Sequence, residues 1–376
     1  MGDAGKRRFL GIICVLYTMV ILIAGLWPFN FKAVNKAEWV KNENGIDFNG
    51  RGIVYNPEPL KLPDTVLKNG SITIEILLRA HQESKTSIPS ILTLMDNNRL
   101  LFIFCQWNKA LLIRVPNNKT ERINRYREIG VANAFSKEST HLITVISHIE
   151  TTAVYIDGKL LRNVPHYSLV TNDNWLRGRI VLGNSPEGIS PWNGSILGLA
   201  IYDQALTGKD IIDHNRVWQH REQSLLAEKK KPIALYLFDE HDGEHIQDHS
   251  GYGNRLLMTK TFRPLKRIIL EVPPREYWFT YSNLIDMAVN VLGFIPFGFF
   301  LLFWWQQKGQ FSAPLGYDIT ILLGCSLSLT IELTQAYLPT RDSSLLDVLD
   351  NVFGTVLGTL LRRHSIQILN WFKPAR

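Results

Sequence analysis

The chain has 376 residues, of which 45% are apolar and 20% charged, and its formal net charge is +7. Basic residues away from the chain ends are dispersed among acidic ones, which argues against a nucleic-acid-binding surface. Only three cysteines are present, and Cys105 alone lies in the polar middle of the chain. That middle part therefore cannot form an internal disulfide and must be stabilised by its hydrophobic core.

Apolar residues are concentrated at the two ends of the chain. The first long apolar segment covers residues 9–29 and follows three basic residues. At about 1.5 Å per residue it is long enough to cross a hydrocarbon layer of about 30 Å. A cleaved secretory signal is the alternative, but the segment is longer than a usual signal core and lacks a small-residue cleavage site. We therefore expect an uncleaved membrane anchor.

Three further apolar segments follow residue 280. They cover residues 284–305, 319–338 and 345–361. The first two have the length of a membrane span, whereas the third is shorter and contains two aspartates near its start. Together with the first segment they predict an α-helical membrane bundle of four spans.

Charges in the short loops orient these spans. With a cytoplasmic amino terminus, eight basic residues fall on the cytoplasmic side: Lys6, Arg7, Arg8, Lys308, Arg362, Arg363, Lys373 and Arg376. The one short outer loop then holds Arg341. Because Lys and Arg are enriched in short cytoplasmic loops, we expect both termini inside the cell and residues 30–280 outside it.

Each of the last three spans carries a pair of acids or amides at one end, and the topology places these ends at the same membrane surface. With the loop arginine, the set is Asp286, Asn290, Glu332, Gln335, Arg341, Asp347 and Asn351. A spacing of three or four residues puts each pair on one helix face. An ionisable group at membrane depth costs about 2.5 kcal/mol or more, so the set predicts one polar cluster that acts as a site.

Structural roles are the alternative interpretation of this cluster. Asp286 could be an interfacial residue near a helix start. Arg341 could neutralise Glu332 or Asp347, which would give a paired internal network without a ligand.

The part of the chain between the first two spans has the pattern of an all-β domain. Residues 72–76 and 141–145 alternate with a period of two. Asp157-Gly158 between two short apolar runs predicts a hairpin, because both central residues of that turn need a positive φ. One short helix is expected over residues 208–219. Many short strands separated by turns predict a sandwich of two sheets.

Several stretches of this β region resemble a known family. They are GIDFNG at 45–50, ITIE at 72–75, HLITV at 141–145, VYIDGKL at 154–160, and NGSI through IYDQALT at 193–207. Their order is similar to that of laminin-G-like domains of the concanavalin A-like lectin and glucanase fold. The resemblance implies a jelly-roll sandwich in a group that often binds glycans or proteins and in some members Ca²⁺.

One segment stands at an unusual position relative to that family. ALYLFDE at 234–240 and DHSGYGN at 248–254 look like the part that normally begins such a domain, yet here they come last. A second domain is one explanation, but the residues left before the membrane are too few for it. We favour a circular permutation, in which this segment completes the sheets that begin near residue 45.

The apolar segments carry a second resemblance. Trp27-Pro28-Phe29, the pair Asp286 and Asn290 before FIPFG at 294–298, IELTQ at 331–335, LPTR at 338–341, and Asp347 with Asn351, Gly354 and Gly358 are similar to the VanZ-like membrane proteins. The resemblance implies a bacterial cell-envelope protein related to glycopeptide-antibiotic resistance. It does not define a reaction.

The outer domain offers two kinds of candidate ligand residue. Trp107, Trp175 and Trp192 could stack on sugar rings, with packing as the alternative for each. Asp239 and Asp248 could ligate Ca²⁺, whereas turn formation by Asp248 explains the same residues without a metal. No other cofactor is indicated.

These expectations define a four-span bundle joined to an all-β jelly-roll sandwich. Residues 1–31 form a cytoplasmic tail and the first span, 32–270 the outer domain, and 271–376 the remaining membrane region. We favour a binding protein of the bacterial cytoplasmic membrane whose partners are the bilayer, an envelope glycan or protein, and a lipid headgroup.

An intramembrane enzyme that modifies a lipid-linked glycan, with Glu332 or Asp286 as acid or base, is the second class of function. The sequence contains no nucleophile elbow, phosphate loop or zinc motif, which favours the binding protein. Carboxylates around an open cavity would support a ligand site, whereas pairing with Arg341 would support a structural role.

Overall fold

Two units make up the chain in this computed structural model. One unit contains residues 1–32 and 267–376 and is helical; the other contains residues 33–266 and is a β-sandwich. We call them the helical unit and the sandwich unit. The structure describes residues 3–61, 70–81, 87–96, 99–117, 126–136, 139–169, 178–220, 222, 225–226, 231–272, 278–309, 312–339, 341 and 343–371.

Four long helices form the described part of the helical unit. They are α1 (Asp3–Leu26), α3 (Tyr281–Lys308), α4 (Ala313–Gln335) and α5 (Leu345–Trp371), while α2 (Gly208–Gln219) belongs to the sandwich unit. Gly309 ends α3 in the left-handed conformation (φ 61°), and a proline in the first turn of α4 suits a helix start.

Three of these helices are long and apolar enough to cross a membrane. Among the described residues, the qualifying spans are Ala4–Leu26, Asn283–Lys308 and Pro314–Gln335. The structure thus has three candidate spans. A fourth span in α5 stays a prediction.

Contacts between the helices fix their directions. The Tyr17 hydroxyl on α1 donates a hydrogen bond to the carbonyl oxygen of Gly293 on α3 (2.9 Å), and Gly11 faces Trp304, so these two helices are antiparallel. Asn351 on α5 donates to Ser328 on α4 (2.9 Å). The carboxyl ends of α1 and α4 and the amino ends of α3 and α5 therefore meet at one end of the helical unit.

Glycines bring α3 and α5 into backbone contact. A Cβ atom on Gly354 would overlap the carbonyl oxygen of Val291, and one on Gly358 would overlap that of Ile295. Small residues allow such close helix approach in membranes, where packing replaces the hydrophobic effect as the driving force.

Gly354→Ala is expected to lower the stability of the helical unit by about 1–3 kcal/mol, because the added methyl group forces α3 and α5 apart. Detergent-induced unfolding of the full-length protein measures this effect. Gly293→Ala on α3 is the matched control, since its methyl group meets no atom within 4 Å. Equal stability of the two variants would show that the close contact at Gly354 does not stabilise the helical unit.

The sandwich unit contains two eight-stranded antiparallel sheets. The first sheet has the order β12 (Lys159–Pro165), β11 (Thr151–Ile156), β10 (Thr140–His148), β5 (Ser71–Ala80), β14 (Gly194–Tyr202), β3 (Ile46–Asp47) and β2 (Glu38–Trp39), and β15 (Ala234–Tyr236) also pairs with β14. The second has the order β16 (His245–Ile246), β17 (Leu256–Leu257), β4 (Val54–Tyr55), β13 (Arg179–Leu182), β6 (Ser90–Asp96), β7 (Arg99–Trp107), β8 (Ala110–Pro116) and β9 (Tyr126–Val131). A separate pair joins β1 (Ala33–Val34) and β18 (Thr261–Phe262).

The main core lies between the two sheets. Alternate residues of β5, such as Ile72 and Ile74, are fully buried in the same cluster as Phe102 and Phe104 of β7. The opposite face of the first sheet is covered by α2, whose Trp218 is buried beside it. Thr207 begins α2 with a capping box, which explains why this helix starts where it was predicted to start.

The segment after α2 contributes strands to both sheets. β15 pairs with β14 in the first sheet, while β16 and β17 join the second sheet through β4. Whether this arrangement reflects a circular permutation stays a prediction. The sandwich unit runs from residue 33 to residue 266.

Candidate functional site

A cavity of about 430 Å³ lies in the helical unit, where α1 and α4 end and α3 and α5 begin. All seven residues of the predicted polar cluster line it. Helix α3 contributes Asp286 and Asn290, and the pairs on α4 and α5 lie at the adjoining helix ends. The structure therefore brings together every residue of this predicted set.

The first helix supplies a wall that the sequence did not indicate. Ile21, Ala24 and Gly25 of α1 line the cavity, with Ile331 and Phe294 as further apolar neighbours. The only sequence signal at this helix end was the Trp27-Pro28-Phe29 motif that follows it. The cavity is thus polar on three helices and largely apolar on the fourth.

Glu332 is almost completely buried, with 2% of its surface exposed. One carboxylate oxygen, Oε2, accepts a hydrogen bond from the backbone N–H of Ser344 (2.8 Å). Ser344 lies just before α5, so the loop between α4 and α5 holds this carboxylate in place. Sequence analysis missed the serine because backbone donors leave no side-chain signature.

Two buried amides also face the cavity. The Nε2 group of Gln335 donates to the carbonyl oxygen of Gly25 (2.8 Å), and the Nδ2 group of Asn351 donates to the Ser328 hydroxyl (2.9 Å). Their oxygens, Oε1 and Oδ1, are buried and have no hydrogen-bond partner among the described residues. An unpaired buried carbonyl oxygen costs about 1–3 kcal/mol, so a donor from a ligand would offset that cost.

Arg341 is exposed and does not neutralise the carboxylates. Its guanidinium donates weakly to the carbonyl oxygens of Trp27 (3.3 Å) and Ala24 (3.5 Å) at the end of α1. No carboxylate of the described residues lies within 4.0 Å of it. Arg341 therefore pairs with neither Glu332 nor Asp347, because it donates instead to carbonyl oxygens that the end of a helix leaves unpaired.

The tryptophans of the sandwich unit differ in what they can do. Trp192 is fully buried and its indole N–H donates to Gln106 (2.6 Å), so the prediction that it stacks on a sugar is wrong. Trp107, at the end of β7, is 51% exposed and remains available to a ligand. Trp175 lies outside the described residues.

The candidate calcium residues do not form one ligand set. Asp248 accepts four hydrogen bonds, from the backbone N–H groups of Leu235, Ser250 and Asn254 and from the Ser250 hydroxyl, so both oxygens organise the turn. Asp239 instead places its Oδ1 atom 3.4 Å from Nε2 of His249. The turn interpretation therefore fits Asp248, and calcium binding at Asp239 stays a prediction.

A buried polar network under α2 was missed by sequence analysis. Glu75 of β5 is fully buried and accepts hydrogen bonds from Trp218 (3.0 Å), Tyr202 (3.2 Å) and His214 (3.1 Å). Burial, and then the nearby Glu75 charge, raise the pKa of Tyr202 well above its usual value, so its hydroxyl remains a donor. Alternation along β5 placed Glu75 on the outer face, and no local signal shows that a helix covers that face.

A polar cleft of about 250 Å³ opens on the sandwich unit. Glu43 and Arg79 line it as an ion pair (2.7 Å), together with Thr140, Asp157 and Gln219. Such groups can donate and accept hydrogen bonds from sugar hydroxyls, but the residues come from separated parts of the chain. Sequence spacing therefore gave no signal for this cleft.

Comparisons with known families confirm both resemblances. Residues 233–367 match the family model described as VanZ/LLP1, and residues 57–212 match that of the concanavalin A-like lectin/glucanases superfamily. No curated protein matches the chain.

Solved structures with similar sandwiches include proteins of several kinds. The receptor-binding domain of botulinum neurotoxin C/D mosaic serotype is 14% identical with a TM-score of 0.37, and the match covers 49% of this chain and 45% of the toxin chain. The CBM40 domain of the Ruminococcus gnavus IT-sialidase, bound to alpha2,3 sialyllactose, is 17% identical with a TM-score of 0.37 (46% and 97% covered). A SAP-like pentraxin from Limulus polyphemus is 12% identical with a TM-score of 0.32 (48% and 79% covered).

Proposed function

We propose that this chain is a multi-pass protein of the bacterial cytoplasmic membrane that presents a lectin-like domain outside the cell and binds a polar headgroup in its helical unit. The VanZ/LLP1 match, the lectin-like sandwich and three apolar helices support this proposal. In it, α5 is the fourth span, and the sandwich unit binds an envelope glycan or an envelope protein.

The distribution of charge supports the proposed orientation. Arg362 lies over the Phe303 ring (3.9 Å) and Lys308 over the Trp304 ring (4.0 Å), both at the end of the helical unit opposite the cavity. The amino-terminal basic residues are at that end too, since α1 is antiparallel to α3. An excess of Lys and Arg there is typical of the cytoplasmic side.

Cysteine labelling tests the topology. In a variant without native cysteines, His364→Cys on α5 is expected to react with a membrane-impermeant maleimide only after the cells are permeabilised. Lys41→Cys in the sandwich unit is the matched control and is expected to react in intact cells. Labelling of residue 364 from outside would contradict a cytoplasmic carboxyl terminus.

The cavity is the observation that carries the headgroup proposal. Seven polar side chains converge on it, and two of them, Gln335 and Asn351, keep a buried oxygen without a described partner. Polar groups at membrane depth are costly, and a purely structural cluster would lower that cost by pairing them internally. An open cavity with unpaired acceptors is the arrangement that a ligand completes.

Glu332→Gln is expected to leave the protein folded and inserted while abolishing its envelope phenotype, because the amide keeps the shape but loses the charge. Two measurements are made on the variant and on the unmodified protein. The first is growth under a cell-wall antibiotic, corrected for the amount of protein. The second is the amount of co-purified lipid or glycan, identified by mass spectrometry. Asp318→Asn, on the same helix but away from the cavity, is the control. A phenotype that falls only in proportion to protein amount would assign Glu332 a structural role.

The same variant separates binding from catalysis. A buried carboxylate in an open cavity is also what an acid or base acting on a lipid-linked glycan requires. A ligand that is still retained by Glu332→Gln, but accumulates unmodified, would favour the intramembrane enzyme. Loss of the ligand itself favours the binding protein.

A further inference from the structure

We infer that the cavity binds the ammonium-bearing headgroup of a membrane lipid, such as phosphoethanolamine. This inference rests on the proposed function, since it names the class of ligand that the same cavity would take.

The hydrogen-bonding state of Gln335 is the first step. Its amide nitrogen must point to Gly25, because the partner there is a carbonyl oxygen, which only accepts hydrogen bonds. The amide oxygen is therefore the group left without a described partner, at a side chain that is 9% exposed. Asn351, 3% exposed, presents a second unpaired oxygen. The vacant position at Gln335 is an acceptor whose orientation its partner fixes, so a ligand at this position must supply a donor.

The charges around the cavity point the same way. Among the described residues that line it, three are acidic (Asp286, Glu332 and Asp347) and one, Arg341, is basic. Carboxylates at the wall of the cavity, with Glu332 in its buried part, disfavour an anionic group beside them and favour a cation. An ammonium group has three N–H donors and a positive charge, which matches both the unpaired oxygens and the excess of carboxylates.

Arg341 accounts for the other half of the headgroup. It is exposed, whereas Glu332 and the two amides are buried, so the positive charge lies towards the open side of the cavity. Its Nε and Nη2 atoms contact carbonyl oxygens of α1, which leaves Nη1 without an acceptor among the described residues. A phosphate placed at Nη1 of Arg341 and an ammonium placed beside Glu332 and Gln335 together describe a phosphoethanolamine group.

Apolar lining residues indicate that the ligand is a lipid. Ile21, Val289, Phe294 and Ile331 share the cavity with the polar set. Val289 is 63% exposed on a helix that is apolar enough to span a membrane, so this wall borders the region that lipid would occupy. Acyl chains could then continue along α3.

Native mass spectrometry of the full-length, delipidated protein tests the inference with three lipids of identical dioleoyl chains. We expect phosphatidylethanolamine to be retained about tenfold more strongly than phosphatidylglycerol, which lacks the ammonium group. The retention of phosphatidylcholine, which keeps the positive charge but has no N–H donor, should lie between the other two. Equal or stronger retention of phosphatidylglycerol would overturn the inference.

Variants assign the effect to the cavity. Asp347→Asn is expected to reduce phosphatidylethanolamine retention about tenfold and to leave phosphatidylglycerol retention unchanged. Asp286→Asn, at an exposed position, should also reduce phosphatidylethanolamine retention. It replaces the first variant if that variant does not fold. Asp350→Asn, on the same helix but outside the cavity lining, is the control and should not change retention.

The remaining outcomes separate this inference from the proposed function. A different lipid whose retention falls in the Asp347 or Glu332 variants would overturn the ammonium headgroup but keep the cavity as a ligand site. If the retention of every tested lipid is unchanged by every cavity variant, both the ammonium headgroup and the cavity as a ligand site are overturned. Soluble phosphoethanolamine should compete weakly, and competition as strong as that of the lipid would overturn the lipid assignment.

Discussion

Removal of residues 234–257 is expected to unfold the whole sandwich unit. This segment supplies Leu235, Tyr236, Phe238, Ile246 and Leu256, each of which is fully buried. Burial of such side chains contributes about 1.5–3 kcal/mol apiece. Their combined loss is comparable with the entire stability of a typical domain, about 5–15 kcal/mol. The deletion also leaves β14 and β4 with unpaired edges.

Two fragments make this prediction measurable by thermal unfolding. A fragment of residues 33–266 should melt in one cooperative transition, whereas a fragment of residues 40–225 should show none. The comparison also tests the circular permutation, because it asks whether the last strands belong to the same cooperative unit as the first. Cooperative melting of the shorter fragment at the temperature of the longer one would show that the permutation hypothesis is wrong.

Glu75→Ala is expected to destabilise the sandwich unit by about 3 kcal/mol or more, because three buried hydrogen-bonding partners lose their acceptor at about 1–3 kcal/mol each. The substitution leaves Tyr202, His214 and Trp218 buried under α2 without the acceptor that they share. Urea unfolding followed by tryptophan fluorescence is a suitable measurement, since Trp218 itself reports on the site.

Two further variants make the result for Glu75 specific. Glu75→Gln keeps an acceptor of the same shape and should cost less than the alanine variant. Glu150→Ala, at an exposed position, should change stability by no more than about 0.5 kcal/mol. If Glu75→Ala is as stable as Glu150→Ala, the network contributes nothing to the fold.

The sequence by itself determined the elements whose signals are local. Apolar length predicted the three helices that can span a membrane, the Asp157-Gly158 turn predicted the hairpin of β11 and β12, and a short helix was expected over residues 208–219, where α2 lies. It also predicted the polar set of the helical unit, because helical spacing and alternating topology are enough to place helix ends together. These features depend on neighbouring residues or on the order of the spans.

Only the tertiary structure decided what each polar side chain contacts. Arg341 binds the end of α1 and not a carboxylate, Trp192 is a core residue, and Glu75 is covered by a helix that lies far along the chain. The physical reason is that burial and hydrogen bonding depend on what packs against a residue. A strand pattern shows which side chains share a face, but it does not show whether water, a helix or a ligand covers that face.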